Sequence, residues 1–149
     1  MNEIKAPNPI LQFANYPNIF LAGSIEMNLA ENWQDKVKRL LEKRRVQIFN
    51  PRRDDWDSSW VQSKDNLQFR QQVEWELEAQ EKADIILIYF DPKTKSPISL
   101  LELGLFAKSG KMRVICPDGF WRKGNVDIVC ERYKIRQFET IEEAISDIF

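Results

Sequence analysis

The chain has 149 residues, 43% of them hydrophobic and 11% aromatic, which suits a single domain burying roughly 70% of its unfolded surface. Its 22 basic and 23 acidic residues leave a net charge of −1, which argues against a dominant surface for a nucleic-acid polymer and favours a small-molecule partner. Histidine is absent, which excludes Ser-His and Cys-His nucleophiles and the usual histidine-containing zinc sites; carboxylates remain the main candidates for acid, base or nucleophile, and neither a metal nor a cofactor is called for.

Residues 1–18 contain Pro7, Pro9 and Pro17 among mixed positions, the pattern of an irregular N-terminal arm lying on the surface of a domain that spans residues 19–149. The N-terminus lacks the apolar centre of a signal peptide, and no apolar run approaches the ~20 residues of a membrane span, so a soluble cytoplasmic protein is expected. A short apolar strand over 19–22 leads into Gly23 and Ser24. Gly23 permits close backbone approach and Ser24 offers a hydroxyl and an amide to a ligand, although a tight turn explains a lone Gly-Ser equally well.

A helix is predicted over about 30–44 and a strand over 46–49, followed by a polar loop that reaches about Asn66. Such long loops are commonly lids or binding loops. Here Trp56 or Trp60 is placed to stack on a planar base and Arg52 or Arg53 to meet a phosphate; the alternative is a solvated loop whose tryptophans pack on the core. The helix predicted over 67–82 has Val73 and Leu77 on one face, and most of its carboxylates read as solvated charges. Glu76, next to Leu77, is the one placed to turn toward the crevice.

The apolar run 84–90 is the central strand, and the segment 96–107 that follows carries one charge, Glu102. Ser96 is a plausible N-cap and Pro97 a plausible first helical residue, so Glu102 falls on a helix just beyond a strand's carboxyl end. A carboxylate among Leu, Ile and Phe is expensive to bury without partners or a job, and a raised pKa is expected unless donors such as Ser96 or a neighbouring chain hold it ionised. The bland alternative is a carboxylate that snorkels to water. Gly104, mid-helix, costs about 1 kcal/mol relative to Ala, which points to close packing or ligand approach.

A strand over 113–116, a helix over about 126–133 with Asn125 as its natural cap, a strand over 135–138 and a helix from Thr140 complete the pattern. Cys116 and Cys130 read as free core thiols. Interleaved strands and helices predict an α/β fold, a single five-stranded, mostly parallel and doubly wound sheet in the flavodoxin-like order 2-1-3-4-5, with the loops after each strand converging on one crevice.

Together these segments resemble the nucleoside 2-deoxyribosyltransferase family and its relatives that hydrolyse nucleotide N-glycosidic bonds, from about Ile19 to the C-terminus. The most specific element is 96–104, ending Leu101-Glu102-Leu103-Gly104, because the family carries its nucleophilic glutamate in such a context. Phe20-Leu21-Ala22-Gly23-Ser24-Ile25, the spacing of Glu76 to Asp84-Ile85-Ile86, and Gly124-Asn125 support it. The resemblance implies a nucleoside or nucleotide substrate, attack by Glu102 at the anomeric carbon, a covalent glycosyl intermediate, and transfer to a second base or to water.

It also implies that Glu76 contacts the base or assists its protonation, that Gly23 and Ser24 line the sugar or 5′-phosphate end, and that Asn125 completes a neighbouring subunit's sugar site in a homo-oligomer. Three positions depart from the transferase pattern. Ser96 stands where transferases have an aspartate, as in the nucleotide hydrolases, implying a sugar-hydroxyl or phosphate contact; Phe20 replaces a tyrosine; and Ile25-Glu26-Met27 lacks a phosphate-gripping arginine, a role left to Arg52 or Arg53.

Overall fold

The structure is a computed structural model that describes residues 1–25 and 32–149. The apolar runs read as strands form β2 (Asn18–Gly23), β3 (Gln47–Asn50), β4 (Ile85–Tyr89), β5 (Met112–Ile115) and β6 (Arg136–Phe138), and a further strand, β1 (Asn2–Lys5), precedes them. The helices are α1 (Trp33–Leu41), α2 (Leu67–Lys82), α3 (Pro97–Phe106), α4 (Lys123–Tyr133) and α5 (Ile141–Ile148). The predicted start of the first helix at Ala30 lies outside the described residues, as do Glu26 and Met27.

All pairings are parallel, and the sheet order is β1-β3-β2-β4-β5-β6. The expected order 2-1-3-4-5 is present as β3-β2-β4-β5-β6, with one more strand than expected at the edge. That strand comes from the stretch read as irregular. Residues 2–5 pair in register with residues 47–50, so the pairing partner rather than local propensity makes them a strand.

Alternation along the strands divides the core into two layers, as a sheet covered on both faces requires. Phe20, Ala22, Phe49, Ile86, Ile88 and Val114 face one cluster with Trp75, Ala79, Leu103, Val126 and Cys130 from α2, α3 and α4. Ile19, Leu21, Ile48, Leu87 and Ile115 face the other with Trp33, Val37 and Leu41 of α1 and Ile141, Ala144 and Ile145 of α5. Cys116 and Cys130 are buried free thiols, and burial pushes them up to about 11 and about 12.

Helix ends follow local chemistry. Asn66 caps α2 by accepting from the Phe69 amide, and Thr140 with Glu143 forms a capping box on α5. At α4 the expectation fails: Arg122 is the N-cap and Asn125 lies inside the helix. The helix starts earlier because the turn at Phe120 accepts from the Lys123 amide at 3.0 Å and Arg122 from Val126 at 3.1 Å. Among the described residues no helix is long and apolar enough to cross a membrane.

Candidate active site

β3 and β4 flank β2 on opposite sides, so the chain's winding reverses between β2 and β4, and the carboxyl ends of these strands border the crevice where open α/β sheets bind ligands. Gly23 closes β2 at φ +134°, and a Cβ there would lie 2.3 Å from the Tyr89 carbonyl oxygen. The backbone that approaches Gly23 is therefore that of β4. Immediately after it, the Ser24 amide donates to the Tyr89 carbonyl at 3.0 Å.

The Ser24 hydroxyl lies 2.8 Å from that of Thr94 and 2.5 Å from that of Ser96, and Thr94 and Ser96 are 2.7 Å apart. The Asp91 amide also donates to Ser24 Oγ, at 2.9 Å. This buried triangle explains why Ser96, although it occupies the N-cap position of α3, forms no side-chain cap. Its backbone is left-handed, with φ 48° and ψ 53°, a conformation unfavourable for a non-glycine residue and held here by the surrounding contacts.

Glu102 sits mid-way along α3, 7% exposed, with its helix covering the same sheet face as α2. Burial, and then the charge of Glu76 on α2, push its carboxyl up to about 8, while the polar Gln80 side chain opposes the rise. Glu76 is likewise pushed up to about 7 by burial, opposed by the Gln72 amide, which donates to Oε1 at 2.8 Å. The charge of Glu76 is thus felt by Glu102 across the α2–α3 junction, and Glu76 itself is half-buried. The raised pKa of Glu102 follows the direction its apolar setting predicts. Ser96 is not its donor in this chain: the cause that lowers the pKa is Gln80.

The inward face of α2 is not the one its apolar residues predict. Val73 and Leu77 are exposed, whereas Gln72, Trp75, Ala79 and Gln80 are buried. Of the two inward glutamines, Gln72 donates to the Glu76 carboxylate at 2.8 Å and Gln80 to the Glu76 backbone carbonyl at 3.1 Å.

The loop after β3 divides the predicted ligands. Arg53 is consumed locally: its guanidinium grips Asp55 through two bonds of 2.9 Å, reaches Gln71 at 3.2 Å and lies over the Trp60 ring. Trp60 in turn packs edge-on against Trp56, with ring centroids 4.9 Å apart. Trp56 keeps 39% of its surface exposed. The Arg52 side chain pairs with no described residue, and its loop is tied to the Glu76 helix through Gln72, which donates to the Pro51 carbonyl at 2.8 Å.

Asn125 is exposed and makes no side-chain hydrogen bond among the described residues. With Leu100, Leu103, Gly104, Arg122, Val126 and Val129 it lines a groove of about 300 Å³ between α3 and α4. Gly104 faces open space: a Cβ there would meet nothing within 4 Å, so close packing within the chain does not explain it. Residues two apart on a helix diverge by roughly 200°, so Gly104 and Glu102 look in opposite directions from α3.

A family model described as nucleoside 2-deoxyribosyltransferase like matches residues 16–120. The chain belongs to this family. The matched span of this nucleoside 2-deoxyribosyltransferase-like protein takes in Gly23, Ser24, Arg52, Trp56, Glu76, Ser96 and Glu102 and stops before α4, leaving Asn125 outside it. No curated protein compared with the chain matches it.

Three site residues of this family member escape the sequence reading. Thr94 completes the hydroxyl triangle, and its signal was a second hydroxyl two positions from Ser96 in the β4–α3 loop. Gln72 and Gln80 flank Glu76 at four-residue spacing, which puts all three on one helical face.

Proposed function

We propose that the protein cleaves the N-glycosidic bond of a nucleoside or nucleotide and transfers the (deoxy)ribosyl group between bases through a covalent glycosyl-Glu102 intermediate. The observation that carries this reading is the carboxylate pair of buried Glu102 on α3 and half-buried Glu76 on α2, both with raised pKa values. With one proton on the pair it rests on Glu102, the group pushed up further, and its transfer to Glu76 supplies the ionised nucleophile and the acid together.

In the first step Glu102 forms a bond to the anomeric carbon as the carbon–nitrogen bond breaks. The electron pair leaves on the base, which takes a proton from Glu76. In the second step an incoming base attacks the same carbon, the carbon–oxygen bond to Glu102 breaks, and the base returns a proton to Glu76. Two displacements leave the configuration retained. Ser24 and Ser96 bind the sugar or 5′-phosphate end, Arg52 meets the phosphate where there is one, and Trp56 stacks on the base.

Asn125 completes the sugar site of a neighbouring copy. Its support is an exposed carboxamide, unbonded among the described residues, on the side of α3 that Glu102 does not face. In a mixture of Glu102→Ala and Asn125→Ala chains, each inactive alone, activity should reappear in hybrid oligomers; no recovery despite hybrid formation would count against the shared site.

Hydrolysis of a nucleoside 5′-monophosphate is the second reading, favoured by the neutral hydroxyl triangle around Ser96 and by Arg52, whose side chain pairs with no described residue. Incubation with deoxynucleosides and with nucleoside monophosphates, with and without a second free base, separates the cases. Base exchange supports transfer, and free sugar phosphate supports hydrolysis. Loss of both activities in Glu102→Ala is expected. Binding without turnover or a trapped 2-fluoro-sugar intermediate would instead make the protein a nucleotide-binding module.

A further inference from the structure

Gln72 is 6% exposed on α2, one turn before Glu76. Its Nε2 makes two hydrogen bonds, donating to the Pro51 carbonyl at 2.8 Å and to Glu76 Oε1 at 2.8 Å. A backbone carbonyl only accepts, so the Pro51 contact fixes which end of the carboxamide is nitrogen, and both of its N–H groups are spent. The Oε1 atom is buried and has no hydrogen-bond partner among the described residues. A glutamine at this position therefore works through its donors alone and leaves an acceptor stranded. One donor holds the loop after β3, which carries Arg52 and Trp56; the other holds one oxygen of the proposed acid.

Either oxygen of a carboxyl group can take the proton, and a donor seated on one leaves the other as the better base. We propose that Gln72 is a positioning residue for Glu76: donating to Oε1 from a side chain anchored on the Pro51 carbonyl, it places the acid proton on Oε2 and aims it at the nitrogen of the departing base. This rests on the reading of Glu76 as the acid. In the first displacement the glycosidic carbon–nitrogen bond breaks, its electron pair stays on the base nitrogen, and the Oε2 proton passes to that nitrogen. Glu76 is left as a carboxylate with the Gln72 bond on Oε1 intact. Of the charged groups around it, Glu102 comes from α3, and the loop brings Arg52 and Arg53, the latter gripped by Asp55. Neither guanidinium shifts the Glu76 carboxyl, which burial raises and the Gln72 bond opposes.

The test compares the full-length Gln72→Met chain with its parent on two substrates. One is whichever 2′-deoxynucleoside or nucleoside 5′-monophosphate the parent cleaves; the other is a 4-nitrophenyl glycoside of the same sugar, whose leaving group departs without a proton. On the first, kcat should fall about tenfold or more with KM within about threefold, and on the second kcat should stay within about threefold of the parent. Carbon-detected NMR should show the Glu76 carboxyl titrating about half a pH unit or more higher than in the parent, because a donor to the anion is gone. Gln72→Leu serves should Met fold poorly. Gln71→Met controls for the loop: Gln71 accepts from Arg53 at 3.2 Å and so holds the same loop, and its loss should leave the ratio of the two rates unchanged.

Equal losses on both substrates would overturn the proposal, as would an unchanged Glu76 midpoint in a folded Gln72 variant. Glu76→Gln keeps the two readings apart. Selective loss of natural-base cleavage in that chain upholds the acid, whereas parent-level turnover of both substrates would remove the acid reading and leave the NMR midpoint to decide whether Gln72 holds Glu76.

Discussion

Glu76 on α2 and Glu102 on α3 belong to two helices on the same face of the sheet, close enough that the charge of Glu76 opposes ionisation of Glu102. Folding buries Glu102, half-buries Glu76 and raises both from 4.5, to about 8 and about 7. Between the unfolded and folded values the native state binds more protons than the unfolded chain. The stability of this pair is therefore fully present below about pH 4.5 and is lost as pH rises toward 8. Urea unfolding should show a fall of a few kcal/mol across that window. In Glu102→Gln the fall should flatten and stability at pH 8 should increase; an unaltered slope would mean that Glu102 does not titrate there.

Gly23 is held against the Tyr89 backbone, so a methyl group has nowhere to go. Gly23→Ala should destabilise by about 2 kcal/mol or more, because it combines an unfavourable φ with a clash against a strand that cannot shift alone. Denaturant midpoints measured with an unchanged m-value would check this. A loss below 0.5 kcal/mol would show that the β2–β4 contact is looser than its 2.3 Å separation from a Cβ implies.

Gly104→Ala is expected to go the other way in the isolated chain, stabilising α3 by up to about 1 kcal/mol, since a Cβ meets nothing there. If a neighbouring copy seats on this groove, the same methyl should weaken association. Sedimentation equilibrium and thermal melting at several protein concentrations separate the two effects.

Ser24→Ala removes the acceptor of the Asp91 amide and the hydroxyl that bonds both Thr94 and Ser96. A loss of about 1–3 kcal/mol is expected for breaking a buried hydrogen-bonded network. Because Ser24 and Ser96 share that network, a double-mutant cycle with Ser96→Ala should be non-additive. Additive effects would show that the hydroxyls act separately.

Much of this protein was legible before folding. The apolar runs and their spacing determined the parallel α/β sheet and its order, and the lone charge of the α3 segment together with the absence of histidine singled out Glu102. Those signals are local or periodic, because strand burial alternates every two residues and helix burial roughly every four. What the tertiary structure decided depends on partners distant in sequence. Residues 2–5 become a strand because β3 offers an edge, and Ser96 forgoes its cap because Ser24 and Thr94 meet it. Arg53 is consumed by Asp55 and Trp60, while the inward face of α2 is polar because two carboxylates from different helices share one buried space. No periodicity encodes that last fact: the chain carries Gln72, Glu76, Gln80 and Glu102 as ordinary polar residues, and only the packing of α2 and α3 on one face of the sheet brings the charge of Glu76 to bear on Glu102.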